Sequence, residues 1–254
     1  MLEGKTAWIT GGGSGIGEAA ARALAAAGAH VVVSGRRADA LGRVVDEIAA
    51  AGGAAEAAPL DVVDADAAQA VVEAIASARG GVDILVANAG RNIPNRALAA
   101  VSARDFAQVV DLNLNGVMNC VLAVLPGMRA AGGGTLILTS SWAGRHISRL
   151  TGPAYTASKH AVVALSHAIN IEECAHGIRC TALMPGEVAT PIMRDRPTPP
   201  SEADMARMLQ AEDLGATVRF IAEAPAHVCF NEVMISPTWN RFFVGFDEAS
   251  DVET

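Results

Sequence analysis

The chain has 254 residues, a formal net charge of −8 and an isoelectric point near 5.2, which argues against nucleic acid or an anionic membrane as its main partner. Hydrophobic residues make up 51%, charged residues 18% and aromatic residues only 4%, so the interior must be built from Ala, Val, Leu and Ile. One α/β domain spanning residues 1–254 accommodates this length and composition.

Short β-branched runs alternate with longer alanine-rich amphipathic stretches. The pattern predicts strands at 6–10, 30–34, 55–59, 84–87, 134–139 and 179–184, with helices at 15–27, 38–50, 65–78, 102–130 and 155–176. Repeated βαβ units of this kind give an α/β fold, a single doubly wound parallel β-sheet flanked by helices on both faces. The 102–130 helix is apolar around most of its circumference, so it is expected to pack on the sheet and also on another subunit. Prolines at 197, 199 and 200 break the pattern, and the stretch at about 190–213 is expected to serve as a substrate lid.

Directly after the first strand comes Thr10-Gly11-Gly12-Gly13-Ser14-Gly15-Ile16-Gly17, followed by a helix. Glycines there allow a tight turn and the close approach of backbone N–H groups to a pyrophosphate, which the helix N-terminus further stabilises. Strand, loop and helix in this order predict dinucleotide binding. Four cysteines, Cys120, Cys174, Cys180 and Cys229, are widely spaced with no Cys-x-x-Cys pair, and are expected to be reduced and mostly buried; no metal site is expected. The first residues carry no charged-then-apolar leader and no apolar run approaches ~20 residues, so a cytoplasmic chain without a membrane span is expected.

The chain's single tyrosine, Tyr155, lies four residues before Lys159, one of only two lysines against 17 arginines. On a helix that spacing stacks both side chains on one face, where an ammonium can favour the phenolate. A half-buried Tyr packed over a Lys stem is the alternative.

These motifs, with Asn88-Ala89-Gly90, Asn113, Ser140-Ser141-Trp142-Ala143-Gly144 and Pro185-Gly186-Glu187-Val188-Ala189-Thr190 in this order, resemble the short-chain dehydrogenase/reductase family over nearly the whole chain. The resemblance implies a Rossmann-like NAD(P)-dependent oxidoreductase that interconverts a secondary alcohol and a ketone or aldehyde on a small molecule. It implies a catalytic set of Asn113, Ser141, Tyr155 and Lys159. Tyr155 would exchange the proton, its anion favoured by Lys159 and the positive nicotinamide ring together; Ser141 would orient the oxygen, Lys159 would also hold the ribose and Asn113 would anchor a water. Ser141 to Tyr155 is one residue longer than expected, attributed to the loop 145–153, with Ser140 the alternative to Ser141.

For the cofactor, Gly11, Ser14, Gly15, Ile16 and Gly17 would surround the pyrophosphate. Asp61 and Val62 would flank the adenine, Asn88 and Gly90 the adenosine half, and Pro185, Gly186, Val188 and Thr190 the nicotinamide. Gly35 stands where NAD-preferring relatives usually carry an acid, and Arg36 can pair with a 2′-phosphate, so NADP is expected, with NAD the alternative. Ser141, Trp142, Tyr155 and Met193 would form the substrate pocket, while Arg145, His146 and Arg149 could recognise an anionic group or, as such loops more often do, be solvated or paired with surface acids. His160 is expected to be a helix-packing residue. Phe242, Phe243 and Phe246 could pack on a neighbouring subunit or belong to a disordered end. The resemblance further implies a homotetramer or homodimer. A non-catalytic NAD(P)-binding regulatory protein of the same fold is the competing reading.

Overall fold

The computed structural model describes residues 1–196 and 198–245. The first half alternates strand and helix: β1 (Thr6–Thr10), α1 (Gly15–Ala26), β2 (His30–Gly35), α2 (Ala38–Ala50), β3 (Ala54–Pro59), α3 (Ala65–Arg79) and β4 (Ile84–Ala87). Then come α4 (Ala103–Val110), a π-helical turn (Asp111–Asn115), α5 (Gly116–Ala131), β5 (Gly134–Thr139), α6 (Pro153–Glu173) and β6 (Ile178–Pro185). The remainder holds β7 (Val188–Ala189), a 3₁₀ turn (Pro191–Asp195), α7 (Glu202–Arg207), β8 (Leu209–Gln210), α8 (Ala211–Ala222), β9 (Glu232–Ile235) and α9 (Arg241–Val244).

Seven strands form one parallel sheet in the order β3-β2-β1-β4-β5-β6-β9, and β7 pairs with β8 apart from it. Side-chain alternation along each strand divides the core in two. Ala7, Ile9, Val31, Val33 and Val86 face a layer that includes Leu24, Leu41 and Leu214 of α1, α2 and α8. Trp8, Val32, Leu85, Leu136 and Leu138 face Val72, Val121, Met128 and Val162 of α3, α5 and α6. The buried Trp8 indole N–H donates to the Ser34 hydroxyl at 2.9 Å, so its one polar atom costs little to bury. The joined helix Ala103–Ala131 is long and apolar enough to cross a membrane, yet half of its most apolar stretch is buried, with α5 packed on α3, β4 and β5.

Several expectations need correction. The 102–130 helix is present as expected but carries a π turn in its middle, at which Asn113 is buried. Helix α8 was not predicted: residues 211–213, assigned to the lid, are its first turn. A capping box between Gln210 and Asp213 starts it, and Leu214, Val218 and Ile221 are buried, partly against α1. Strand β9 was also not predicted, because four residues at a sheet edge, three partly covered and Met234 exposed, carry no clear period. Only Cys120 and Cys180 are buried; Cys174 and Cys229 are exposed, and all four are free.

Candidate active site

The sheet order reverses between β1 and β4, and at the carboxyl ends of such neighbouring strands the chain leaves a crevice. A cleft of about 260 Å³ opens there, floored by Gly11, Ser14, Gly15 and Ile16 after β1 and by Asn88 and Gly90 after β4. Its other walls are Ser140 and Ser141 after β5, Tyr155 and Lys159 of α6, and Pro185, Gly186, Val188 and Thr190 after β6. Gly11 has φ +65°, and a Cβ on Gly17 would sit 2.2 Å from the Gly11 carbonyl oxygen, so the loop closes onto α1 only with glycine at both positions. The Thr10 hydroxyl accepts from the backbone N–H groups of Asn88 (3.1 Å) and Ala89 (3.2 Å), locking the two crevice loops together.

Ser14 precedes α1 in extended conformation with no side-chain cap, leaving first-turn N–H groups directed at the cleft entrance. The Thr139 hydroxyl is buried without a partner among the described residues, and Thr139 lines the cleft. A glycine cradle, an open helix N-terminus and an unsatisfied buried hydroxyl fit a nicotinamide dinucleotide.

Not every expected cofactor residue reaches this cleft. Gly17 is buried beneath the loop and supports it. Asp61 is exposed and accepts from the Val63 N–H at 3.2 Å, while buried Val62 packs where a Cβ on Gly116 would lie 2.6 Å from it. Arg36 is exposed at the end of β2, next to Gly35, beyond the cleft walls.

The two serines differ in role. Ser140 is buried and its hydroxyl donates to the Lys159 carbonyl at 2.8 Å, welding β5 to α6. Ser141 begins a 3₁₀ turn, accepts from the Ala143 N–H at 3.2 Å and lines both the cleft and the neighbouring cavity together with Tyr155. Ser141 is therefore the serine that meets Tyr155. The Lys159 ammonium lies 5.6 Å from the centroid of the Tyr155 ring and donates to the Thr139 carbonyl at 2.7 Å.

The chain's own electrostatics are set by burial. Burial is the largest influence on Tyr155 and raises its phenol above the ordinary value, outweighing the Ser141 hydroxyl and the charges of Arg196 and Arg96. Burial also lowers Lys159 to about 8. Burial thus opposes the phenolate, and the charges of the chain itself do not outweigh it.

Asn113 is fully buried; its Oδ1 accepts from the Arg91 N–H at 2.9 Å, and its Nδ2 donates to the Arg91 carbonyl (2.9 Å) and the Ser158 hydroxyl (3.1 Å). Its amide N–H groups are spent on holding the Gly90-Arg91 loop against α6, which makes it a positioning residue instead of a cleft-lining one. A Cβ on Gly90 would lie 3.2 Å from Asn113 Oδ1 and 3.4 Å from Lys159 Nζ.

Beside the cleft a second cavity of about 100 Å³ shares Ser141, Tyr155 and Met193, and Trp142 and Phe242 form part of its wall. Trp142 stacks on His146, with ring centroids 4.3 Å apart. Arg145 pairs through two nitrogens with Glu232, and Arg149 and His160 border a separate outward groove, so none of the three basic candidates lines either cavity. His160 Nδ1 lies 2.9 Å from the Thr156 carbonyl, consistent with helix packing. Phe242 and Phe243 pack on Trp142 of their own chain, where an intersubunit contact was expected; Phe246 lies outside the described residues. The sequence reading missed Arg196, Glu187 and Arg241, which meet at the second cavity, Glu187 and Arg196 forming part of its wall; Arg196 and Arg241 are separated by 45 positions and carry no local motif.

The family model for short chain dehydrogenases matches residues 5–200. The chain belongs to this family of NAD(P)-dependent oxidoreductases. Cyclohexanol dehydrogenase of Acinetobacter sp. (strain SE19) is 35% identical over 224 residues, 85% of this chain and 87% of that one. Glycine betaine reductase ATRR of Emericella nidulans is 36% identical over 241 residues, 93% of this chain but only 19% of that protein. An alcohol dehydrogenase from the archaeon Thermococcus sibiricus, solved in complex with 5-hydroxy-NADP, superimposes with a TM-score of 0.83 at 29% identity, covering 93% of this chain and 98% of that one.

Proposed function

We propose that this short-chain dehydrogenase interconverts a small ketone or aldehyde with its alcohol, with NADP as the favoured cofactor. The observation that carries the reading is the Ser141–Tyr155 hydroxyl pair, which borders both the dinucleotide cleft and the second cavity. A carbonyl oxygen placed in that cavity can accept from both hydroxyls while its carbon faces the cleft. Tyr155 supplies the proton during reduction and removes it during oxidation, and Ser141 orients the oxygen. Lys159, which lines the cleft, would hold the nicotinamide ribose, and Asn113 fixes the loop that Lys159 packs beside. The nicotinamide, when bound, supplies the hydride chemistry and a positive charge in its oxidised form.

Preference for NADP is supported by Gly35, which places no carboxylate at the end of β2, and by the exposed guanidinium of Arg36 beside it. Similarity to an alcohol dehydrogenase complexed with an NADP derivative points the same way. The segment from the 3₁₀ turn to β8 acts as the substrate lid, because Ile192 and Met193 border both cavities and the β7–β8 pairing anchors its far end. Exposed Phe106, Leu122 and Ile171 on α4, α5 and α6 support assembly into a homodimer or homotetramer through that side.

Steady-state turnover of butan-2-one and cyclohexanone with NADPH and NADH tests the reading. Turnover with the lower Michaelis constant for NADPH is expected, and Tyr155→Phe should lose about 10²–10⁴-fold in kcat with cofactor affinity nearly unchanged. Retained activity in Tyr155→Phe would refute the mechanism, and a lower Michaelis constant for NADH would refute the cofactor assignment.

A further inference from the structure

We propose that the C-terminal segment Asn240–Phe243 is a hook that walls the substrate cavity, with Phe242 setting the size of carbonyl compound admitted and Glu187 clasping the hook to the lid. The inference rests on the oxidoreductase reading and adds to it the element that fixes specificity. Phe242 borders the same 100 Å³ cavity as Tyr155 and Ser141, although 87 positions separate it from Tyr155. Its ring stacks on Trp142 at 5.9 Å and 15°, and Phe243 meets Trp142 edge-on at 5.4 Å and 71°. Trp142 follows Ser141 directly, so the aromatic wall begins one residue from the hydroxyl pair.

The hook is held by specific contacts. Asn240 is buried, and its side-chain oxygen accepts from the Phe242 N–H at 2.9 Å, starting the turn. Arg241 donates through Nε and Nη2 to the two oxygens of Glu187 at 2.8 and 2.7 Å, and Arg196 donates to the same carboxylate at 2.6 Å. Glu187 is 3% exposed and stands between Gly186 and Val188, which line the cofactor cleft. Burial raises its carboxyl, but the two guanidiniums outweigh that and keep it below the usual carboxylate range.

Two further contacts join hook and lid: Arg241 lies 3.7 Å from Asp204 of α7, and the Arg207 guanidinium sits 4.7 Å over the Trp239 ring. A buried carboxylate shared by two arginines contributes geometric registration more than net stability. Here the registration places an aromatic wall opposite the catalytic hydroxyls.

The test compares kcat/KM for butan-2-one and for the bulkier acetophenone at saturating reduced cofactor. Phe242→Ala should raise the acetophenone-to-butan-2-one ratio by about 10- to 200-fold, the range that small changes in apolar group size command in a pocket, and Phe242→Leu should give an intermediate rise. Arg241→Met should shift the ratio in the same direction, chiefly through KM. An unchanged ratio in Phe242 variants that still reduce butan-2-one overturns the hook and leaves the oxidoreductase reading standing. A native chain that turns over neither ketone, nor butan-2-ol and 1-phenylethanol in reverse, overturns that reading and this inference with it.

Discussion

Lys159→Met should stabilise the protein at neutral pH while removing its activity. Burial lowers Lys159 from 10.5 to about 8, a distance that corresponds to roughly 3 kcal/mol spent on keeping the ammonium charged in the folded chain. Met fills a similar volume without that cost but gives up the 2.7 Å hydrogen bond to the Thr139 carbonyl, worth about 1 kcal/mol. The net gain is about 2 kcal/mol at pH 7, or about 4–8 °C in Tm for a chain of this size. The sign follows from proton uptake. Below about 8 both states of the native chain carry the proton and the penalty is complete; between about 8 and 10.5 only the unfolded state does, so native stability recovers as pH rises. Above 10.5 the penalty is gone and the order reverses by the hydrogen bond alone. Urea denaturation of both proteins across this pH range reads the difference directly. A variant less stable than the native chain at pH 7, or a stability gap that does not close by pH 10.5, would refute the argument.

Two other outcomes follow from the same site. Because Tyr155 is the only tyrosine, ultraviolet titration reads it alone: the folded chain should ionise above 10 and the urea-unfolded chain near 10, and a folded midpoint below 10 would contradict burial as the dominant influence. Asn113→Ala removes three hydrogen bonds and leaves the Arg91 N–H and carbonyl without these partners, so about 2–3 kcal/mol of stability should be lost in chemical denaturation; a loss under about 0.5 kcal/mol would show that the loop repairs itself.

Much of the fold was legible because its signals are local. The hydrophobic runs of β1, β4 and β5 predict their bounds, and glycines at 11, 15 and 17 betray the loop that must admit a backbone closely approaching another group. Tyr155, Ser141 and Lys159 converge as expected, and the loop ambiguity between Ser140 and Ser141 is resolved by which hydroxyl is spent on α6's carbonyl and which residue shares both cavities with its phenol. What sequence alone did not disclose is long-range. Glu187 gains its meaning from Arg196 and Arg241, and Arg145 loses its apparent place at the pocket to Glu232, 87 positions away. Helix α8 was missed although Leu214, Val218 and Ile221 recur at helical spacing; Gly215 lowers its intrinsic propensity, and the helix is fixed in part by burial against α1.

The electrostatics of Tyr155 also could not be read from spacing. Spacing put an ammonium near the phenol, and distance does place it there, at 5.6 Å from the ring centroid. The same enclosure that brings the two groups together removes water from both, and it raises the phenol while lowering the lysine. A phenol that stays protonated is matched to giving a proton to a carbonyl oxygen, the reductive direction. Taking one from an alcohol requires added positive charge beside the ring, and the cleft bordered by Lys159, Thr139 and Gly186 is the place where a charged nicotinamide would supply it. On the proposed mechanism, activation would be a property of the assembled cleft, with Tyr155 and Lys159 contributing position and a bound cofactor contributing charge.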